Sequence, residues 1–318
     1  MDSISEERKR GKFRTREFLA NNFSFIGFAL VVVLFEILTQ GKLLGARNMM
    51  NIFNDFFTIG LGALGLIFVM SLGELDLSVG AIVGFSAAIG SFAADASLVL
   101  ILPACLISGL LIGLMNGLLV SRLHVESFIE TLAMSFVIRG ITTFLLNGTR
   151  GIGIAMRVFD GDIIKVATFA VVAVACYILY EYTMFGKHIR SVGSIAEAAR
   201  QSGVPVEKTK LLAFMLCGLL CGIVGFFCLV RACTASTKTG NAFEFSTLLA
   251  VVFGGMPLTG GWPVRFRSAL VGSVSMAVIT SGMSLMGLSG LTQQIVQGAI
   301  LIGVVTLSFD RRNAVVIK

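Results

Sequence analysis

A chain of 318 residues that is 56% hydrophobic and only 14% charged, with a mean hydropathy of +0.91, is too apolar to be a soluble domain. Its 25 Lys and Arg against 18 Asp and Glu give a net charge of +7, an excess that loops flanking membrane spans explain without a nucleic-acid partner. The composition predicts a multi-pass protein embedded in a lipid bilayer.

In chain order, residues 1–22 carry Arg8, Lys9, Arg10, Lys12, Arg14 and Arg16 and read as a cytoplasmic tail. The apolar run that follows, 24–40, lacks a small-residue cleavage site and reads as a retained first helix, not a removed signal peptide. Further runs long enough to cross about 30 Å of hydrocarbon lie at 50–71, 98–121, 128–146, 163–184, 208–230, 266–288 and 293–309. Two shorter runs, 78–95 and 245–256, read as short, tilted or re-entrant helices, which are tolerated at membrane depth where other protein covers their backbone. The expected fold is all-α: one membrane domain over 23–310 with about ten spans, a cytoplasmic stretch at 186–210 and a cytoplasmic tail at 311–318. With both termini inside, the cytoplasmic face collects most of the basic residues, among them Arg122, Arg265, Arg267, Arg311, Arg312 and Lys318, as the positive-inside rule requires. No polar segment between spans is long enough for a separate soluble core.

Polar groups within this apolar frame are costly and tend to face a bundle interior or a wet path. Glu74 and Asp76 lie in Met70-Ser-Leu-Gly-Glu-Leu-Asp-Leu-Ser-Val-Gly80. Asp76 or Ser78 is placed to cap the short helix that follows, whereas Glu74 has no such role and is a candidate for a pathway or its gate. Glu244 opens the second short run. Laying Glu74 on Glu244 also lays Gly84 on Gly254 and Gly90 on Gly260, the mark of a duplicated half, and paired short, Gly-interrupted segments point to a transport site. Gly109 with Gly113, and Gly218 with Gly222, recur at one-turn spacing and predict close helix contacts. The six cysteines, at 105, 176, 217, 221, 228 and 233, contain no Cys-x-x-Cys and read as packing residues. Neither a P-loop, nor His-Glu-x-x-His, nor Gly-x-Ser-x-Gly occurs. On these residues alone an ion-coupled secondary transporter stays open, with Glu74, Asp76, Glu130 and Glu244 as coupling candidates.

One stretch fits that reading poorly. Residues 186–210 are the most polar interior segment. Ser194-Ile-Ala-Glu197 has the form of a capping box, Gly203 suits a left-handed C-terminal residue, and Pro205 stops the helix from resuming. The spacing predicts a helix over 195–202, about 12 Å long, with Ile195, Ala198, Ala199 and Ser202 on a small-residue face. So short a helix is unstable alone, so well-made ends imply that something packs on it.

The run Gly186 to Val204 resembles the coupling segment of ABC importer permeases from the ribose, xylose, arabinose, galactose and autoinducer-2 branch. Gly186, Gly193, Ala198, Ala199, Ser202, Gly203 and Val204 stand at matching places. The likeness continues elsewhere: Asn48 and Asn51 resemble the N-x-x-N-[IV] pattern at the second span, and Asp76-Leu-Ser-Val-Gly80 is similar to G-G-I-D-L-S-V-G. Asn116-Gly-Leu-Leu-Val120, Phe128-Ile-Glu-Thr-Leu132 and Gly254-Gly-Met-Pro-Leu-Thr-Gly-Gly261 follow further motifs of the branch. Departures are Glu74 in place of a glycine, Glu244-Phe-Ser-Thr-Leu for a more common E-L-x-A-I, and Trp262-Pro263 after the second glycine pair.

The resemblance implies a type II, vitamin B12 importer-like architecture of about ten helices with an inverted internal repeat. It implies an import permease in the bacterial inner or plasma membrane for a monosaccharide or related small polar solute, with an amino-acid or nucleoside ABC permease as the alternative. The implied partners are an ABC ATPase subunit, an extracytoplasmic solute-binding protein, and a second copy of the chain or a homologous permease. The chain itself would be no enzyme and hold no cofactor, since Mg-ATP would belong to the ATPase. Gly193, Ser194, Glu197, Ala198, Ala199, Arg200 and Gly203 are then the expected ATPase contact. Glu74, Asp76, Ser78, Asn116, Glu244, Ser246 and Thr247 are the expected pathway and gate.

Overall fold

Helices occupy each of the predicted apolar runs in the computed structural model, which describes residues 27–257 and 266–308. Both predicted tails, 1–22 and 311–318, lie outside the described residues, as do Gly260, Gly261, Trp262 and Pro263. The helices are α1 (Gly27–Leu38), α2 (Ala46–Ser71), α3 (Val79–Ala96), α4 (Ile101–Arg122), α5 (Ser127–Leu146), α6 (Asp162–Glu181), α7 (Met184–Ser194), α8 (Ala196–Gln201), α9 (Val206–Ala232), α10 (Phe243–Phe253), α11 (Arg267–Leu285) and α12 (Gly290–Ser308). A two-stranded antiparallel ribbon pairs β1 (Thr149–Gly151) with β2 (Thr234–Ser236).

Among the described residues, seven helices are long and apolar enough to cross a membrane: α2, α3, α4 with the turn before it, α5, α6, α9 and α11. The run at 78–95, expected to be short or re-entrant, forms an 18-residue helix of spanning length. The run at 245–256 does make a short one, since the 11 residues of α10 extend only about 16 Å.

Burial sorts the helices into layers. α2 and α9 are covered on most sides, by α3, α4, α10 and α11 among others, whereas α5 and α6 leave most of their apolar surface uncovered. In a soluble protein such exposure would mark a docking patch; on helices of this length and hydropathy it is the surface that hydrocarbon solvates.

α4 and α9 pack backbone to backbone, and the paired glycines make that contact. A methyl added to Gly218 would fall 2.9 Å from the Cα of Gly113, and one added to Gly222 would fall 2.5 Å from the Cys105 carbonyl oxygen. These backbones touch because nothing lies between them. Gly218→Ala is therefore expected to lower unfolding stability in detergent by about 1–3 kcal/mol through overpacking. Gly140→Ala on α5, where an added carbon meets nothing within 4 Å, serves as the control and is expected to be neutral or slightly stabilising.

Candidate functional site

Ahead of α9, the polar stretch from 186 holds two helices, α7 and α8, where the sequence predicted one. α7 turns back on α6 at Gly186, whose missing side chain lets it lie against the Tyr180 backbone, and it buries Ile189 and Val192. The predicted capping box does not form. Ser194 closes α7, its hydroxyl donating to the Arg190 carbonyl at 3.0 Å, and the extended residue before α8 is Ile195. A serine in the last turn of a helix finds that carbonyl more readily than the N–H groups ahead of it. The C-terminal end does match: Gly203 adopts φ +83° and the Val204 N–H donates to the Ala199 carbonyl at 3.0 Å.

The predicted small-residue face divides. Ala199 is buried against the molecule, whereas Ile195, Ala198 and Ser202 are exposed, as are Ser194, Glu197 and Arg200; Gly193 is half-buried. Arg200 bridges to Glu207 at the start of α9 at 2.7 Å, which ties α8 to that long helix. Three residues further along α9, Lys210 pairs with Glu74. Glu74 is thus joined to the first turns of α9, close to α8.

The linker from α2 to α3 runs extended through the protein. Thr131 and Ser127 at the start of α5 accept the N–H groups of Leu77 and Leu75, each at 3.1 Å, which satisfies backbone that no helix serves. Asp76 is 2% exposed. Its Oδ1 accepts both the N–H and the hydroxyl of Ser78, at 2.8 and 2.6 Å, and the Ser78 oxygen accepts from Asn116 Nδ2 at 2.7 Å. Ser78 stands at the N-cap of α3 without a cap bond from its own side chain, and Asp76 takes the Ser78 N–H instead. The Ser78 hydroxyl is already committed in both directions, and its backbone is helical.

Glu244 sits in the first turn of α10, paired with Arg139 of α5 at 3.1 Å. The same guanidinium donates to Asn241 Oδ1 and the Gly240 carbonyl. This clamp lies directly on α3: any side chain at Gly80 would overlap the Glu244 carboxylate, and one at Gly84 would fall 2.5 Å from the Thr239 carbonyl oxygen. Thr247 is fully buried, donating to the Phe243 carbonyl at 2.9 Å and facing Gly62 of α2.

A shallow, open cleft lies beside the clamp. Asp55, Thr58 and Ile59 of α2, Val83 of α3, Cys228 of α9 and Thr280 of α11 line it, with Gly240, Asn241, Phe243 and Ser246 around the start of α10. The Thr280 hydroxyl is buried without a partner. Of the seven predicted pathway residues only Ser246 lines this cleft. Asp76, Ser78 and Asn116 form a sealed chain below α3, Glu74 and Glu244 are held in ion pairs, and Thr247 is packing. Asp55, Thr58, Asn241, Thr280 and the clamp residue Arg139 went unnoticed in the sequence, although Asp55 and Arg139 are charges inside apolar runs, a signal applied only to Glu74, Asp76, Glu130 and Glu244.

Residues 48–305 match the family described as "Branched-chain amino acid transport system / permease component". The chain is 32% identical to the L-arabinose ABC transporter permease protein AraH of Azospirillum brasilense, covering 93% of this chain and 89% of the relative. It is 30% identical to the xylose transport system permease protein XylH of Haemophilus influenzae, covering 87% and 92%. It is 26% identical to the ribose import permease protein RbsC of Escherichia coli K12, covering 92% and 94%. No solved structure matches the chain.

Proposed function

The chain belongs to the family of branched-chain amino acid transport system permease components, and from that membership we propose that it is the membrane permease subunit of an ATP-driven ABC importer for a monosaccharide or related small polar solute. The observation that carries the choice of solute is the cleft. An apolar amino-acid side chain would call for a wall without polar groups, whereas Asp55, Thr58, Asn241 and Ser246 set carboxylate, hydroxyl and amide groups among Ile59, Val83, Cys228 and Phe243. Few polar groups on an apolar frame is the make-up of a small-molecule site, and it suits a solute rich in hydroxyls with C–H faces between them. The arabinose, xylose and ribose permeases named above agree with this reading.

In this proposal about ten helices span the bacterial inner membrane in a type II arrangement with an inverted repeat, both termini are cytoplasmic, and two permeases pair. An external binding protein delivers solute to the cleft. ATPase subunits holding Mg-ATP close against α7 and α8, and the bundle exchanges one access state for the other. Each ligand must favour one state, since equal affinity for both would shift nothing.

The test is uptake of labelled L-arabinose, D-xylose, D-ribose and leucine into vesicles carrying the permease, its ATPase and its binding protein. A pentose is expected to accumulate only with ATP. Ser246→Ala, which removes one hydroxyl from the cleft lining, is expected to lower that uptake about fivefold, the worth of one hydrogen bond. Leucine uptake, or solute uptake by the chain alone under an ion gradient, would overturn the reading.

A further inference from the structure

Around the α2–α3 linker, four buried oxygens on three side chains have no donor. They are Asp76 Oδ2, Asn116 Oδ1 and both carboxyl oxygens of Glu130. Asp76, Asn116 and Glu130 are 2%, 0% and 6% exposed. Asn116 and Asp76 are joined through Ser78. Glu130 stands on α5 beside Thr131, the residue that binds the linker on either side of Asp76. The direction of the Asn116 amide follows from chemistry: the Ser78 proton is given to Asp76, so Ser78 can only accept, Nδ2 must face it, and Oδ1 is left turned away.

Every one of these atoms is an acceptor, so whatever completes the cluster is a proton or a cation. Nearby positive charge is already taken, with Lys210 on Glu74 and Arg139 on Glu244. The remaining neighbours are the hydroxyls of Ser78 and Thr131 and the Cys217 thiol of α9, a weak donor beside the Asp76 carboxyl. A water would supply hydrogen bonds but leave two carboxylates uncompensated in an apolar interior, a cost of several kcal/mol per ion. We propose that Asp76, Glu130 and Asn116 form a buried site for a small monovalent cation, either a sodium ion or a proton. The site is separate from the solute cleft and does not depend on which solute is carried.

The full-length protein, purified in detergent, tests this through its unfolding temperature, because a ligand that binds only the folded state raises it. One arm replaces choline chloride by sodium chloride at constant ionic strength and pH. The other lowers pH in choline chloride alone. A sodium site is expected to raise the midpoint about 5 °C at a hundredfold excess of ion over its dissociation constant; a proton site is expected to respond in the second arm only. Glu130→Gln, similar in shape and bringing its own donor, is expected to remove the response. Glu130→Asp, which keeps the charge and shortens the reach, is expected to shift it at least about tenfold in ion concentration and serves if the glutamine variant does not fold. Identical responses of wild type and both variants to sodium and to pH would overturn the proposal and leave water as the occupant.

Discussion

Ala198→Arg is expected to abolish ATP-driven uptake while leaving the unfolding temperature of the permease unchanged. Ala198 is exposed on α8, and the bonds its carbonyl accepts from Ser202 survive a change of side chain, so a large cation there costs the fold little. What it changes is the surface offered to a partner. A charged side chain forced into a close-packed contact blocks docking sterically and leaves a charge to be desolvated; a loss of about 100-fold in uptake corresponds to about 2.7 kcal/mol of docking free energy. The neighbouring Ala199→Arg is expected to behave differently, failing to give stable protein, because Ala199 is 2% exposed and its carbonyl receives the Ser202 and Val204 N–H groups that close the helix. The pair separates a docking defect from a folding defect. Assays are vesicle uptake, ATPase activity of the assembled complex and thermal unfolding of the permease alone. Normal uptake by Ala198→Arg would show that α8 is not where the ATPase engages.

The contrast between Ala198 and Ala199 shows what the sequence could convey. Spacing alone placed both on a small-residue face; only tertiary packing decides that one looks inward. The glycine pairs of α4 and α9 were legible because close approach needs nothing but missing side chains at one-turn intervals. The capping signal at Ser194 failed because a local motif has competitors: with α7 running up to Ser194, the Arg190 carbonyl is the nearer partner. α7 itself left a trace in the spacing of Ile189 and Val192, hidden by the charges between apolar runs.

Asp55 and Arg139 were legible by the rule that singled out Glu74, since each is a charge within an apolar run. Their partners were not. The pairings of Arg139 with Glu244 and of Lys210 with Glu74 join segments more than a hundred residues apart, and nothing in either segment names the other. Glu74 and Glu244 are each met by a cation from another helix, one near α8 and one beside the cleft.

That second pair carries the other large expected effect. Arg139→Leu is expected to destabilise the permease by about 3–5 kcal/mol, because it strands the Glu244 carboxylate in a site where its only compensating charge was the guanidinium. The Arg139 and Glu244 side chains are 24% and 14% exposed, and the carboxylate lies against the backbone of Gly80, so water has little room to replace the lost partner. Glu244→Leu alone strands Arg139 instead and is expected to cost less, since the guanidinium keeps its bonds to Asn241 and the Gly240 carbonyl. The double variant Arg139→Leu/Glu244→Leu removes both charges together and is expected to recover much of the loss. In a double-mutant cycle of thermal unfolding the two sites would then fall short of additivity by 0.5 kcal/mol or more, within the usual range of about 0.5–3 kcal/mol for contacting residues. Strict additivity would mean that the pair is solvated and holds nothing. If the coupling is found, the clamp has a further consequence for transport: it fastens α5 to the segment that leads into α10, the same segment that contributes Gly240, Asn241 and Phe243 to the cleft. A double variant that folds normally but imports poorly would then assign the ion pair to the geometry of the cleft mouth and not to stability, since the two leucines restore the fold without restoring the hold on Asn241.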